Sequence, residues 1–215
     1  MTAFYSLRRQ LVDGLTKTWV TLALSLVSLR FGIYACEIAM PYFPAPRPPT
    51  KNMRYTLTVL AILSYAATFP AYFFLPSNVR HQATAALLFS YPGTLTRYLL
   101  SISLNPRMKT LPLGTFMANS IGTALLGLFH VLQGLSSPVS PNTCSVLQGL
   151  GDGYCGCLTT ISTFVTEIVT LEGWKGSLYT TVSWVTGQLL LLVIMGSSFW
   201  AGHVKEQATC SFQTS

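Results

Sequence analysis

The residues with reactive side chains show no pattern that is typical of a catalytic site. The three histidines, His81, His130 and His203, are far apart in the sequence. The sequence contains no His-Glu-x-x-His, no glycine-rich phosphate loop and no Gly-x-Ser-x-Gly. The five cysteines form no Cys-x-x-Cys pair and have no nearby histidine at 155–157, so we predict small thiols buried in the membrane and no zinc site. The sequence therefore predicts a protein that is not an enzyme.

Polar residues inside apolar segments indicate a different chemistry. Asn119 lies in the middle of an apolar run, Arg97 lies in the run before it, and hydroxyl residues cluster over 159–163. A buried amide without a partner costs about 1–3 kcal/mol. Asn119 is therefore predicted either to bond a neighbouring helix or to face an ion path, where its amide donates to an anion. An arginine in a membrane helix is costly, and we interpret Arg97 as structural.

The elements that position these residues are predicted to be membrane helices. Half of the 215 residues are hydrophobic and only 9% are charged, and the mean hydropathy is +0.48, whereas soluble domains carry about 25% charged residues. A spanning helix needs roughly 20 apolar residues. Six windows qualify, at about 19–40, 55–75, 82–104, 111–133, 146–170 and 177–202. We therefore predict an all-α integral membrane protein with about six transmembrane helices.

The net charge of +7 is interpreted as an interaction with lipid headgroups and not with nucleic acid. The basic residues are scattered near the ends of apolar runs and form no Lys/Arg block longer than the pair Arg8-Arg9. Their numbers on alternate sides of the six windows are nearly equal, which leaves the orientation in the membrane open. Such a balance is expected where two halves insert in opposite senses.

The fifth window is unusual because it combines several glycines with a cluster of threonine and serine. A broken helix at membrane depth is tolerated only where it is buried in protein or lines water. We therefore predict that the fifth window is an interior helix with a functional break.

Three motifs stand in order in the third, fourth and fifth windows. They are GTLTR at 93–97, PLGTFMANSIGT at 112–123 and GYCGCLTTISTFVTE at 153–167. In this order and spacing they resemble the fluoride channel family, called Fluc or CrcB in bacteria and FEX in eukaryotes. That family has the patterns G-x-x-x-R, P-x-G-T-x-x-x-N-x-x-G and G-x-x-G-x-x-T-T-F-S-T-F. The resemblance covers roughly residues 82–202 and implies a four-helix domain with a broken third helix.

The resemblance implies a passive channel that exports fluoride from the cell and thereby gives fluoride resistance. Carried over motif by motif, the residues of the fluoride path are Asn119, Ser162, Thr163, Phe164, Tyr179 and Ser183. The residues with a structural role are Gly93, Arg97 and Gly122. The chain departs from the pattern at Ile161, where most bacterial members have a first phenylalanine whose ring edge carries partial positive charge.

The resemblance also implies one structural sodium ion. In the family this ion lies on the axis between two antiparallel domains and is bound by backbone carbonyls that the helix break releases. By alignment of the motifs, these carbonyls belong to Gly156 and Thr159. Carbonyl oxygens are suitable ligands for a hard cation.

The domain organisation is predicted from the same resemblance. Residues 1–45 resemble the last helix of the N-terminal domain of a eukaryotic member, and 46–80 resemble its linking transmembrane helix. Residues 81–204 form the four-helix domain, and 205–215 form a tail. The expected partner is an antiparallel domain, supplied by a second copy or by a separate N-terminal half. The expected location is the plasma membrane, with several passes.

Two alternatives remain open at this point. The first is a non-conducting or degenerate domain that serves as a structural or regulatory partner of a fluoride channel, which Ile161 would suit. The second is a proton-coupled small-molecule transporter. Glu37 is the only candidate for the carboxylate that such a transporter needs, and it lies near the end of a window.

Overall fold

The computed structural model describes residues 2–42, 48–75, 85–108, 110–137 and 139–202, with side chains from residue 13 onward. Its secondary-structure elements in these ranges are helices, which confirms the all-α prediction. The predicted tail 205–215 and the middle of the proline-rich connector lie outside the described residues.

Nine α-helices follow one another along the described chain. They are α1 (Thr2–Ala39), α2 (Lys51–Phe74), α3 (Ala85–Leu104), α4 (Leu113–Gln133), α5 (Pro141–Gly149), α6 (Gly156–Leu158), α7 (Ile161–Thr170), α8 (Trp174–Leu191) and α9 (Ser197–Trp200). A 3₁₀ turn, Asn105–Arg107, follows α3. A π-helical segment, Leu150–Cys155, joins α5 to α6, and a second one, Leu192–Gly196, joins α8 to α9.

Four stretches of the described chain are long and apolar enough to cross a membrane. They are Asp13–Ala39, Lys51–Phe74, Leu113–Gln133 and Trp174–Trp200. The other two predicted windows are also helical: the third is α3, and the fifth is divided among α5, α6 and α7. The count of six spans therefore stays a prediction, whereas four spans follow from helix length and composition.

The contacts within the chain group its residues into two units. The first unit comprises Met1–Pro48 and Ile161–Thr170, and in its described part α1 packs against α7. The second unit comprises Pro49–Thr160 and Leu171–Ser215, in which α3 packs against α2, α4 and the π-helical segment after α5. The domain boundaries predicted from the sequence stay a prediction.

A proline inside α3 explains how α2 is attached to it. Pro92 has no N–H, so the carbonyl of Leu88, four residues earlier, has no donor from its own helix. The hydroxyl of Tyr65 on α2 donates to that carbonyl at 2.9 Å. The rings of Tyr65 and Tyr91 lie 5.0 Å apart, which adds an aromatic contact at the same place.

Two N-terminal caps set where the central helices begin. Pro112 precedes α4 and offers no side-chain cap, so the Oδ1 of Asn105 accepts from the N–H groups of Gly114 at 2.7 Å and Thr115 at 3.3 Å. The Oγ of Ser140 accepts from the N–H of Thr143 at 3.3 Å and caps α5. The fifth window therefore begins at Pro141 and not near 146 as predicted, because a serine cap followed by proline is a strong start signal.

The cysteine prediction is wrong at one position. Cys36, Cys155 and Cys157 are free thiols, but Cys144 is disulfide-bonded. The fifth cysteine, Cys210, lies outside the described residues. A count of five allows two pairs and one thiol as readily as five thiols, so the number alone could not decide between them.

Candidate functional site

The fifth window is interrupted where the sequence predicts a break. The short helix α6 ends at Leu158, and Thr159 adopts an extended conformation with φ −75° and ψ 151°. Regular helix resumes at Ile161 with α7. The last carbonyls of a helix lack partners from the helix itself, so a break inside an apolar segment leaves such groups at membrane depth.

Asn119 clamps this break from the neighbouring helix α4. Its Oδ1 accepts from the backbone N–H of Thr160 at 2.8 Å, and its Nδ2 donates to the backbone carbonyl of the same residue at 3.3 Å. A single amide side chain thus binds both the backbone N–H and the backbone carbonyl of Thr160. The amide nitrogen carries two hydrogens, so one of them is committed to Thr160.

Gly122 gives the break room to lie against α4. A Cβ atom at position 122 would collide with the Cγ2 methyl of Thr159, and it would lie 3.6 Å from Cδ2 of Leu158. Asn119 and Gly122 are one turn apart, so they meet the break from the same face of α4. The structure therefore places Asn119 and Gly122 against the segment of Thr159 and Thr160, and Gly156 begins the short helix α6 that leads into this segment.

Tyr179 and Ser183 lie one turn apart on α8, which packs against α4. Tyr179 is completely buried. The Oγ of Ser183 is also buried and has no hydrogen-bond partner among the described residues. The same holds for Nε1 of Trp184, which the sequence analysis did not single out. A tryptophan in an apolar run is normally a core or lipid-facing residue, so the sequence gives no signal that distinguishes Trp184.

The remaining residues of the predicted path lie on α7 in the first unit. Phe164 is buried, Thr163 is half-buried, and Ser162 and Ile161 are exposed. Asn119, Tyr179 and Ser183 belong to the second unit. The predicted path therefore draws on residues of both units, and its assembly stays a prediction.

Gly93 and Arg97 share a face of α3 but have different surroundings. Gly93 is buried, and a Cβ there would collide with the carbonyl oxygen of Tyr154 and would lie 3.1 Å from its carbonyl carbon. Arg97 is half-buried. Next to it, the hydroxyl of Tyr154 bonds the Oγ1 of Thr96 at 3.3 Å. These contacts place Gly93 at a close approach of two backbones, and the roles predicted for both residues stay predictions.

A cavity that the sequence did not reveal lies beside the C-terminal end of α4. Its volume is about 160 Å³, and His130 contributes to its wall. Gln148 links the two sides, because it accepts from Nε2 of Gln133 at 3.1 Å and donates to Oδ2 of Asp152 at 2.6 Å. Two isolated glutamines 15 residues apart carry no pattern, so only the packing of α4 on α5 reveals the pair.

Comparison with known proteins relates this geometry to a family. The model of the family described as "CrcB-like protein, Camphor Resistance (CrcB)" matches residues 84–197, more than half of the chain. That range contains the whole of α3 and α4, the break, and α8 with Tyr179 and Ser183, and it ends at the first residue of α9.

Named relatives occur in fungi and in bacteria. Fluoride export protein 1 of Neurospora crassa is 44% identical over 129 residues, which are 59% of this chain and 24% of that protein. Fluoride export protein 1 of Saccharomyces cerevisiae is 33% identical over 175 residues, 74% of this chain and 45% of that protein. Fluoride-specific ion channel FluC 2 of Moorella thermoacetica is 41% identical over 103 residues, 46% of this chain and 80% of that protein. The chain thus spans less than half of the length of the two fungal relatives.

Proposed function

Because this chain is a multi-pass membrane protein that belongs to the CrcB family, we propose that it forms part of a passive, fluoride-selective channel that exports fluoride from the cell. The observation that carries this proposal is the clamped break, which lies inside the range that the CrcB family model matches. Relatives of the chain are named fluoride export proteins and fluoride-specific ion channels. We propose no catalytic role. The comparisons lend no support to the alternative of a non-conducting partner domain.

The chemistry of the proposed path is that of hydrogen-bond donors in a dry environment. Fluoride is small and strongly hydrated, so a protein that conducts it must replace the lost water with donors. Asn119 has a second amide hydrogen beyond the one that it gives to Thr160. The buried hydroxyl of Ser183 has no partner among the described residues, and a donor of this kind would be satisfied by a passing anion.

The residues on α7 complete the proposed path. Phe164 would present the positive edge of its ring to the anion, while Ser162 and Thr163 would contribute hydroxyl groups. Tyr179 stands one turn before Ser183 on α8 and extends the polar row. Ile161 occupies the position where a second ring is usual in the family, so we propose that a single phenylalanine lines this domain's path.

The proposed partner is an antiparallel domain, either a second copy of this chain or a separate N-terminal half. Support comes from the apolar surface of the described residues. Large hydrophobic side chains are exposed along α1, α2 and α8, and no described residue of α2 is buried. Lipid tails would cover part of this surface, and an oppositely oriented domain would cover another part.

We also propose a structural sodium ion at the break, held by the carbonyls of Gly156 and Thr159. The fit is supported by the end of α6 and by the extended conformation of Thr159, which turn carbonyls of the last turn away from regular helix bonds. Among the described residues, no group of three His, Cys, Asp or Glu side chains could hold a metal ion. A cation at this depth would therefore depend on backbone oxygens, and it would lock the broken segment in place.

Growth of fluoride-sensitive cells tests the proposed function. We expect the full chain, produced in cells that lack their own fluoride exporter, to reach the plasma membrane and to restore growth in fluoride but not in other toxic halides. Gly187→Ala is the matched control, because a Cβ at Gly187 meets nothing within 4 Å, and it should restore growth equally. A chain that reaches the plasma membrane at normal levels and leaves the cells fully sensitive would refute the proposal for this chain by itself.

A further inference from the structure

The break in the fifth window depends on where two backbone N–H groups are directed. In an uninterrupted α-helix, the N–H of Thr160 would donate to the carbonyl of Gly156, four residues earlier. Here it donates to Oδ1 of Asn119 at 2.8 Å instead. A 3₁₀ turn would offer the carbonyl of Gly156 the N–H of Thr159, but that group donates to the carbonyl of Cys155 at 2.9 Å.

Both donors that a helix would offer to Gly156 are therefore engaged elsewhere, and one of them is taken by a side chain from another helix. The hydroxyl of Thr159 does not replace them, because it also donates to Cys155, at 2.9 Å. Gly156 is an exposed residue in the described structure, so its carbonyl is accessible to a ligand from outside the segment.

The second bond of Asn119 fixes the direction of the diverted peptide. Its Nδ2 donates to the carbonyl of Thr160 at 3.3 Å, so the side chain holds the donor and the acceptor of the same residue. Gly122, one turn further along α4, leaves space for Thr159 beside it. The break is thus a property of two facing helices and not of the fifth window alone.

We propose that Asn119 is the positioning residue of the cation site: by taking the N–H of Thr160, it keeps the carbonyl of Gly156 free to bind a cation. This inference rests on the sodium site proposed above. It gives Asn119 two roles: it holds the backbone N–H of Thr160, and its second amide hydrogen serves the anion path. The two roles need different atoms, since the backbone role depends on the acceptor Oδ1 and the anion role depends on a donor hydrogen.

Two substitutions separate these roles. Asn119→Leu keeps the approximate size of the side chain but removes both polar atoms, so Thr160 can return its N–H to Gly156 and close the helix. Asn119→Asp retains an acceptor oxygen at the same position in either protonation state. It should therefore keep the break and the cation site, although an ionised carboxylate has no hydrogen for an anion. Ser120→Ala, the next residue on α4, is the control for a change at equal depth.

The test uses the full chain and two measurements. The first is the melting temperature in sodium chloride compared with N-methylglucamine chloride at equal ionic strength, since the large organic cation cannot enter such a site. The second is amide hydrogen exchange in the peptide that spans 156–163. We expect wild type, Ser120→Ala and Asn119→Asp to be stabilised by sodium. We expect Asn119→Leu to lose that stabilisation and to show altered exchange in this peptide.

Each other result overturns a defined part of the account. If a folded Asn119→Leu is stabilised by sodium as strongly as wild type, the positioning role of Asn119 is refuted. Loss of sodium stabilisation in a folded Asn119→Asp would also refute it. The aspartate variant therefore decides the question if the leucine variant does not fold. A wild type that sodium does not stabilise would refute the sodium site and this role together. The expected sodium pattern without any fluoride flux would support this inference and contradict the proposed channel function.

Discussion

Replacing Gly93 by alanine is expected to destabilise the second unit strongly. In wild type, α3 lies so close to the π-helical segment that a Cβ at Gly93 would collide with the carbonyl oxygen of Tyr154. It would also lie 3.1 Å from both the carbonyl carbon and Cα of that residue, whereas carbon atoms in contact prefer about 3.5–4.0 Å. These are backbone atoms, so no side-chain rotation relieves the overlap, and the two segments must separate.

The magnitude follows from two opposing terms. Overpacking of this kind costs about 1–3 kcal/mol, and a backbone obstacle favours the upper end of that range. Alanine recovers about 1 kcal/mol relative to glycine inside a helix. The net loss for Gly93→Ala is therefore about 2 kcal/mol. Gly187→Ala has the same helix gain without the collision, so the two variants should differ by about 3 kcal/mol.

The assay is reversible unfolding in mixed detergent micelles, followed by circular dichroism, with wild type and both variants of the full chain measured side by side. Gly149→Ala extends the test to the contact between α3 and α5, because its Cβ would lie 2.7 Å from the Cβ of Ala85. Equal stability of Gly93→Ala and Gly187→Ala would refute the close approach of α3 and the π-helical segment on which the described fold depends.

Three further substitutions test separate contacts of the second unit. Gly122→Ala should push Thr159 away from α4 and should weaken the sodium-dependent rise in melting temperature; an unchanged rise would show that the break does not need this space. Asn105→Ala removes the cap of α4 and should cost about 1 kcal/mol in the same unfolding assay, and no loss would contradict the cap. Tyr65→Phe leaves the carbonyl of Leu88 without its donor and should cost about 1–3 kcal/mol, so a variant as stable as wild type would refute that attachment of α2.

The predicted membrane windows agree well with the helices where a long apolar run is bounded by residues that start or stop a helix. The windows 82–104 and 111–133 correspond to Ala85–Leu104 and Leu113–Gln133. The sequence predicts that the first window begins at about 19, but α1 begins at Thr2. The charged residues before Trp19 mark where apolar character starts, and a helix can extend beyond that point into polar surroundings.

The candidate site was predictable in its residues but not in its bonds. The glycines and hydroxyl residues of the fifth window indicated a break, and the motifs indicated Asn119, Gly122, Gly156 and Thr159. The partner of Asn119 depends on how α4 is rotated and shifted against the broken segment, and a sequence pattern leaves that register undetermined. For the same reason, the cap that Asn105 provides across nine residues and the bond between Gln133 and Gln148 emerged only from the packed helices.

Fluoride efflux from sealed vesicles tests the central claim most directly. The purified full chain would be reconstituted into liposomes loaded with potassium fluoride, and a potassium ionophore would allow charge to balance while an electrode records external fluoride. The account predicts rapid fluoride release that depends on the protein, with no release from matched vesicles loaded with chloride. A folded, membrane-inserted chain that releases no fluoride, or that releases chloride equally fast, would contradict it.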